Sequence, residues 1–100
     1  MTQNEKIAEV MGNAGFKYFD EWDELKQLWL AKLLQARMVA DGWYITNLQW
    51  GIDKFCAWAK KSYVSSFTPN DDLKHSPDCI SEPAALVSLF CKVFNIEGEK

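Results

Sequence analysis

The side chains that could bind a metal or act as a nucleophile lie mainly in one polar stretch. His75 is the one histidine of the chain, and Cys79 lies four residues after it. Zinc takes nitrogen and sulfur ligands in a tetrahedral arrangement, so this pair with Cys56 or Cys91 forms a candidate site. The chain has no Cys-x-x-Cys pair, and we expect neither a metal nor a cofactor.

The same stretch holds the best candidate catalytic residues. Cys79 could attack as a nucleophile, with His75 as its base and Asp78 as the group that orients the histidine. Near neighbours in a loop seldom hold such a geometry, and we therefore predict that the protein is not an enzyme. A small metal-binding or enzymatic protein that uses His75 and Cys79 is kept as the third hypothesis for function.

Lys60 and Lys61, beside Trp58 and Tyr63, form the one patch in the sequence that combines basic and aromatic side chains. Single-stranded nucleic acids are bound by aromatic stacking together with a cationic track. The net charge of −3 argues against strong attraction to phosphates. A nucleic-acid-binding accessory protein is the second hypothesis, and nucleic acid is not the expected partner.

The composition is that of one small globular domain. The 100 residues are 48% hydrophobic and 25% charged, and we predict a single domain over residues 1–100 with a frayed tail at 97–100. The sequence shows no apolar run long enough for a membrane span and no signal peptide. We therefore expect reduced cysteines and a location in the bacterial host cytoplasm, without contact with a membrane.

A long helix organises the chain between Asp20 and Gly42. Asp20 is placed to cap its start, and Gly42 to end it. Two apolar stripes run along it. The first is predicted to lie under the sheet and to hold the residues most important for stability, and it comprises Trp22, Leu25, Trp29, Leu33, Ala36 and Ala40. The second is predicted to lie under another helix or a partner chain, and it comprises Leu30, Leu34 and Met38.

The remaining pattern predicts a small sheet and two more helices. A short helix ends near Met11, and period-two alternation predicts a strand over residues 43–50. The alternation puts Tyr44, Thr46, Leu48 and Trp50 on one side and Asn47 and Gln49 on the other, and Gly51 and Asp53 favour a hairpin turn into the next segment. Residues 54–67 fit either a strand or a helix, and β-branched and aromatic residues favour a strand. Residues 69–81 are predicted to be a loop, and Ser81 caps a final helix over residues 82–95. The predicted fold class is α+β, with a small antiparallel sheet covered by helices.

The order of these segments resembles the phage "ABA sandwich" domain. The likeness lies in residues 4–12, in the Asp41-Gly42-Trp43 exit from the long helix, and in the start of the last helix at residues 81–86. That resemblance implies a phage or prophage origin and a small antiparallel sheet with helices on both faces. It transfers no functional residues, because most such proteins have no known role.

The leading hypothesis is a non-enzymatic phage accessory protein that binds and modulates a host protein, for example as an anti-CRISPR-like inhibitor of a defence system. Aromatic side chains supply affinity without chemistry, and acidic residues of the 69–81 loop could meet the basic surface of a nucleic-acid-binding effector. A homodimer is also expected, because the long helix has more apolar surface than one sheet covers. The candidate partner-binding residues are Trp43, Trp50, Trp58, Lys60, Lys61, Asp71, Asp72 and Asp78.

Overall fold

The computed structural model describes residues 2–61 and 73–96, and it has the predicted α+β fold. Its elements are α1 (Gln3–Met11), a 3₁₀ helix (Ala14–Glu21), α2 (Glu24–Ala40), β1 (Tyr44–Gly51), β2 (Lys54–Lys60), β3 (Leu73–His75) and α3 (Glu82–Val93). The three strands form one antiparallel sheet in the order β1-β2-β3. The fold class predicted from the sequence is confirmed.

Helix α2 begins at Glu24, four residues later than the predicted start at Asp20. The carboxylate of Asp23 caps it by accepting a hydrogen bond of 2.8 Å from the Lys26 amide, and such a cap satisfies an amide that has no partner within the helix. Asp20 instead lies in the 3₁₀ helix. The side-chain amide of Gln27 in α2 joins the two segments by donating to the Phe19 carbonyl of the 3₁₀ helix at 3.0 Å.

The second stripe of α2 lies under another helix, as predicted, but the prediction for the first stripe is wrong for most of its members, because only Trp22 and Leu33 pack against the core. Leu30, Leu34 and Met38 of the second stripe are fully buried together with Ala31, whereas Leu25 is 81% exposed and Trp29 is 57% exposed. Helix α2 packs mainly against α3, whose Leu86, Leu89 and Phe90 complete this part of the core. The prediction that Leu25 is a core residue is therefore wrong.

The sheet resolves the ambiguous segment in favour of a strand. Lys54–Lys60 forms β2 and pairs with β1 from Tyr44↔Lys60 to Gln49↔Phe55, while the rest of the predicted 54–67 segment, residues 62–67, lies outside the described residues. The prediction of a loop over residues 69–81 is wrong at residues 73–75, which form β3 against β2. Turn-forming residues on both sides conceal this three-residue strand in the sequence.

Both long helices lie on the same face of the sheet. Ala57 and Ala59 of β2 are fully buried in one cluster with residues of α2 and α3, because alanine allows a helix to approach the strand closely. The resemblance to the phage domain implies helices on both faces. Within residues 2–61 and 73–96 no helix covers the opposite face.

Ser76 holds the end of β3 to the centre of the sheet. It is 3% exposed, its amide donates to the Ala57 carbonyl at 2.9 Å, and its hydroxyl accepts from the Ala57 amide at 2.9 Å. Ser76→Ala would leave the buried Ala57 amide without an acceptor. We expect a loss of about 1–3 kcal/mol in the free energy of unfolding, measured in urea. Ser88→Ala is the control, and an equal loss there would contradict this role.

Candidate partner-binding surface

The face of the sheet that points away from α2 and α3 carries a row of exposed side chains. The register places Thr46 of β1, Trp58 of β2 and His75 of β3 side by side, and it aligns Tyr44, Lys60 and Leu73 in the next row. Successive side chains along a strand point to opposite faces of the sheet, so every second residue lies on the same face. We call this surface the open face, and its exposed or partly exposed members are Tyr44, Thr46, Leu48, Trp50, Trp58, Lys60, Leu73 and His75.

Aromatic contacts hold the centre of the open face in place. The rings of Trp58 and His75 have centroids 4.8 Å apart and planes inclined by 30°, a distance typical of paired aromatic rings. The stack is built across β2 and β3, so its geometry depends on the pairing that Ser76 secures. The imidazole Nδ1 also lies 3.1 Å from the Ser76 carbonyl oxygen.

Trp50 lies near the C-terminal end of β1, and its indole reaches across the open face. Its indole nitrogen donates to an Asp78 carboxylate oxygen at 3.2 Å. Because Trp50 belongs to β1 and Asp78 follows β3, the indole reaches across β2. The Lys54 ammonium lies 4.6 Å from the centroid of the same ring, within the range of a cation–π interaction.

The structure brings together four of the eight predicted partner-binding residues. Trp50, Trp58 and Lys60 lie on the open face, and Asp78 contacts it through Trp50. Trp43 packs instead against the core, with the Lys61 ammonium 5.0 Å from its ring centroid. Lys61 also donates to the Asp41 carbonyl at 2.8 Å. Neither is assigned to the open face, and Asp71 and Asp72 lie outside the described residues.

His75 and Cys79 do not form a joint site. His75 pairs with Trp58 on the open face, whereas Cys79 pairs with Phe55, whose side chain packs against the helical core. The Cys79 sulfur lies 3.8 Å from the Ser88 hydroxyl of α3, so the two side chains are on opposite faces of the sheet. Among the described residues no group of three or more His, Cys, Asp or Glu side chains could hold a metal ion.

The sequence analysis missed Leu48 and Leu73 as members of the surface. Alternation in β1 correctly put Tyr44, Thr46, Leu48 and Trp50 on one side, but it cannot tell which side faces the helices. The side with Ile45 and Asn47 does so here: Ile45 packs against the core, and the Asn47 amide donates to the Gln35 side chain of α2 at 3.0 Å.

Cys91 is a buried thiol on the helical side of the molecule. Burial raises its pKa from 9.0 to about 11, although the hydrogen bond with Gln3 lowers the pKa in part. The Gln3 amide nitrogen lies 3.0 Å from the sulfur. The thiol therefore stays protonated in the folded protein at a pH where it ionises in the unfolded chain.

This difference predicts a loss of stability at high pH. Below pH 9 the thiol is protonated in both the folded and the unfolded protein, so its ionisation does not change the free energy of unfolding. Between pH 9 and pH 11 only the unfolded chain releases the proton, and the free energy of unfolding should fall by about 1–3 kcal/mol. Comparison with Cys91→Ala by urea titration isolates the effect, because lysines and tyrosines ionise in both proteins. An identical pH dependence in the variant would contradict it.

No helix among residues 2–61 and 73–96 is long and apolar enough to cross a membrane. Comparison with protein-family models, with curated proteins and with solved structures found no match for this chain.

Proposed function

We propose that this chain is a non-enzymatic accessory protein that binds a partner protein through the open face. The observation that carries the proposal is the exposure of large apolar side chains there: Leu48, Trp50 and Leu73 are between 43% and 52% exposed, and Trp58 is 38% exposed. Contiguous apolar surface of this kind marks interaction sites. Tryptophan is also enriched among the residues that dominate binding energy.

The geometry of the two tryptophans supports a role in binding. Trp58 is fixed by its stack with His75, and Trp50 is fixed by Asp78 and Lys54. Side chains that are held in place before binding lose less conformational entropy on association. The open face therefore presents rigid aromatic anchors beside polar groups, the composition found at the centre of protein interfaces.

Nucleic acid is the second candidate partner, favoured by the Trp58–His75 stack beside Lys60. The charges on this surface support a protein instead. Lys54 already lies over Trp50, the Asp78 carboxylate lies at the same ring, and the whole chain has a net charge of −3. A phosphate backbone would be repelled by the carboxylate and would find few free cations.

The finer part of the proposal is a phage or prophage protein that modulates a host protein in the bacterial cytoplasm, for example by inhibiting a defence effector. It rests on the resemblance of segment order to the phage "ABA sandwich" domain. An inhibitor needs only a surface that complements its target, so the exposed tryptophans would suffice without a catalytic group. Self-association is the remaining part of this proposal.

The test combines capture with variants of the open face. The tagged protein is used to capture partners from bacterial lysate, and the affinity of each candidate is then measured for Trp58→Ala, Leu48→Ala and the control Ile80→Ala. Ile80 is 79% exposed, and it lines a cleft with Leu28 of α2 and Pro83 of α3, on the helical side of the sheet. We expect the first two changes to weaken binding by about tenfold or more and the control to have no effect.

Two outcomes would contradict the proposal. Equal affinity of all three variants would remove the open face as the binding site. Binding to a single-stranded oligonucleotide that weakens steeply with salt, and that is lost in Trp58→Ala, would establish the second candidate instead.

A further inference from the structure

Two cavities meet where the β1–β2 hairpin lies beside the start of α3. The larger is an open cleft of about 530 Å³, and the smaller has a volume of about 140 Å³. Phe55 and Glu82 line both cavities, so the two are adjacent. Leu73, where the described chain resumes, pairs with Lys60 at the end of β2 that lies away from Phe55. We call the two cavities together the hairpin site.

The larger cleft of the hairpin site is mainly apolar. Ile52 of the hairpin turn is 89% exposed, and Ile80, just before α3, is 79% exposed. Both line the cleft together with Leu28, Phe55 and Pro83. Cavities of roughly 300–1,000 Å³ with mostly apolar walls and a few polar groups are typical of small-molecule sites. These walls can cover the alkyl chain of a ligand.

The smaller cavity offers hydrogen-bond acceptors. Asn47 lines it, and the side-chain oxygen Oδ1 of this residue is buried without a hydrogen-bond partner among the described residues. Gln49 also lines the cavity. Its amide nitrogen donates to the Gly51 carbonyl at 3.3 Å, which leaves its side-chain oxygen as an acceptor. A buried acceptor that lacks a donor is unfavourable, so the cavity favours a ligand that donates hydrogen bonds.

The charges at the hairpin site favour a cation. Glu82 lines both cavities, and its Oε1 lies 2.9 Å from the Lys32 ammonium. A carboxylate has two acceptor oxygens, so Oε2 can accept from a second cation. Glu24 is the other charged residue that lines the larger cleft. Lys32 offsets only one of these two negative charges, and an anionic ligand would therefore be repelled.

We propose that the hairpin site binds a small primary alkylamine, with its ammonium group in the smaller cavity and its alkyl chain in the larger cleft. An ammonium group has three N–H donors, which match the side-chain oxygens of Asn47, Gln49 and Glu82. Its hydrogen bond to the carboxylate is charge-assisted and therefore stronger than one between neutral groups. The site lies on the helical side of the sheet, so this proposal goes beyond the proposed function, which uses the open face.

Titration of the nitrogen-15-labelled protein with hexylamine, followed by NMR, tests the proposal. At neutral pH a primary alkylamine is protonated, as the lysine side chain is. We expect saturable shifts of the side-chain amide signals of Asn47 and Gln49, and unchanged indole signals of Trp50 and Trp58 on the open face. Hexanol has the same alkyl chain without the charge, and we expect it to bind about tenfold more weakly or less.

Two variants that break the same ion pair separate binding from structure. Glu82→Gln removes the carboxylate and should weaken hexylamine binding by about fivefold or more. Lys32→Gln removes a competing cation and should leave the binding equally tight or tighter. Ile80→Ser shortens one wall of the larger cleft and should weaken binding by about threefold or more. Because Ile80 is exposed, this third variant keeps the test valid if Glu82→Gln fails to fold.

Four results would overturn the proposal. They are equal affinity for hexylamine and hexanol, equal weakening by Glu82→Gln and Lys32→Gln, unchanged Asn47 signals, and no saturation at roughly 50 mM amine. A lysine-containing peptide that binds more tightly than the free amine would also overturn it, because the cleft would then belong to a partner protein. The titration contains no partner protein and the capture experiment does not depend on an amine, so either proposal can fail while the other stands.

Discussion

Leu34→Ala is expected to lower the free energy of unfolding by about 2–5 kcal/mol, whereas Leu25→Ala changes it by less than about 0.5 kcal/mol. Both leucines belong to α2, so helix propensity is matched. Leu34 is fully buried against α3, and Leu25 is 81% exposed. Removing a buried leucine side chain loses its transfer free energy and leaves a cavity, and neither penalty applies at an exposed site.

Urea titration of the two variants at neutral pH checks this result. An equal loss at both positions would mean that the first stripe is covered as well. If Leu25→Ala is costly only at protein concentrations high enough for self-association, the first stripe is covered by a second copy of the chain. A larger loss for Leu25→Ala than for Leu34→Ala at low concentration would show that α2 is rotated relative to the packing described above.

Phe90→Ala is expected to cost about 3–5 kcal/mol in the free energy of unfolding. The ring is fully buried on α3, and its centroid lies 4.4 Å from that of Phe94. The change therefore removes the apolar volume of one ring and an aromatic contact of the other. At a total stability typical of small domains, a loss of this size leaves a large fraction of the protein unfolded.

Phe90→Leu is the matched control, because leucine retains most of the apolar volume. We expect Phe90→Leu to lose less than half as much free energy of unfolding as Phe90→Ala loses. Thermal unfolding followed by far-ultraviolet circular dichroism distinguishes the two variants even if Phe90→Ala is too unstable for a urea titration. Equal melting temperatures of the alanine variant and the unmodified protein would exclude Phe90 from the core.

Local signals in the sequence were enough to identify the α+β class, the two long helices and the β1–β2 hairpin. Ser81 caps α3 by accepting from the Ala84 amide at 3.3 Å, as its position before Pro83 predicts. Such signals act within four residues, so they are present in the sequence itself. Asp23 is an equally good cap, and the competition between Asp20 and Asp23 accounts for the misplaced start of α2.

The choice of buried faces was decided only by the tertiary structure. Helix α2 is apolar on two sides, and β1 has one apolar and one polar side, so the pattern along each element permits either orientation. Packing of α2 against α3 selects Leu34 over Leu25. The side of β1 that faces the helices holds Ile45, which packs against the core, and Asn47, which donates to Gln35. As a result the aromatic side of β1 belongs to the open face.

The candidate site shows the same division. The sequence analysis proposed Trp50, Trp58, Lys60 and Asp78 as candidate partner-binding residues from their chemical types alone, and the structure brings these four together at the open face. It could not exclude Trp43 and Lys61, nor separate His75 from Cys79, because the side of a sheet that a residue occupies depends on strand register. One residue of shift reverses the face, and the shift here lies between the Trp58↔His75 pair and the Phe55↔Cys79 bridge. Residue types were thus readable in the sequence, whereas their grouping required pairing between strands distant along the chain.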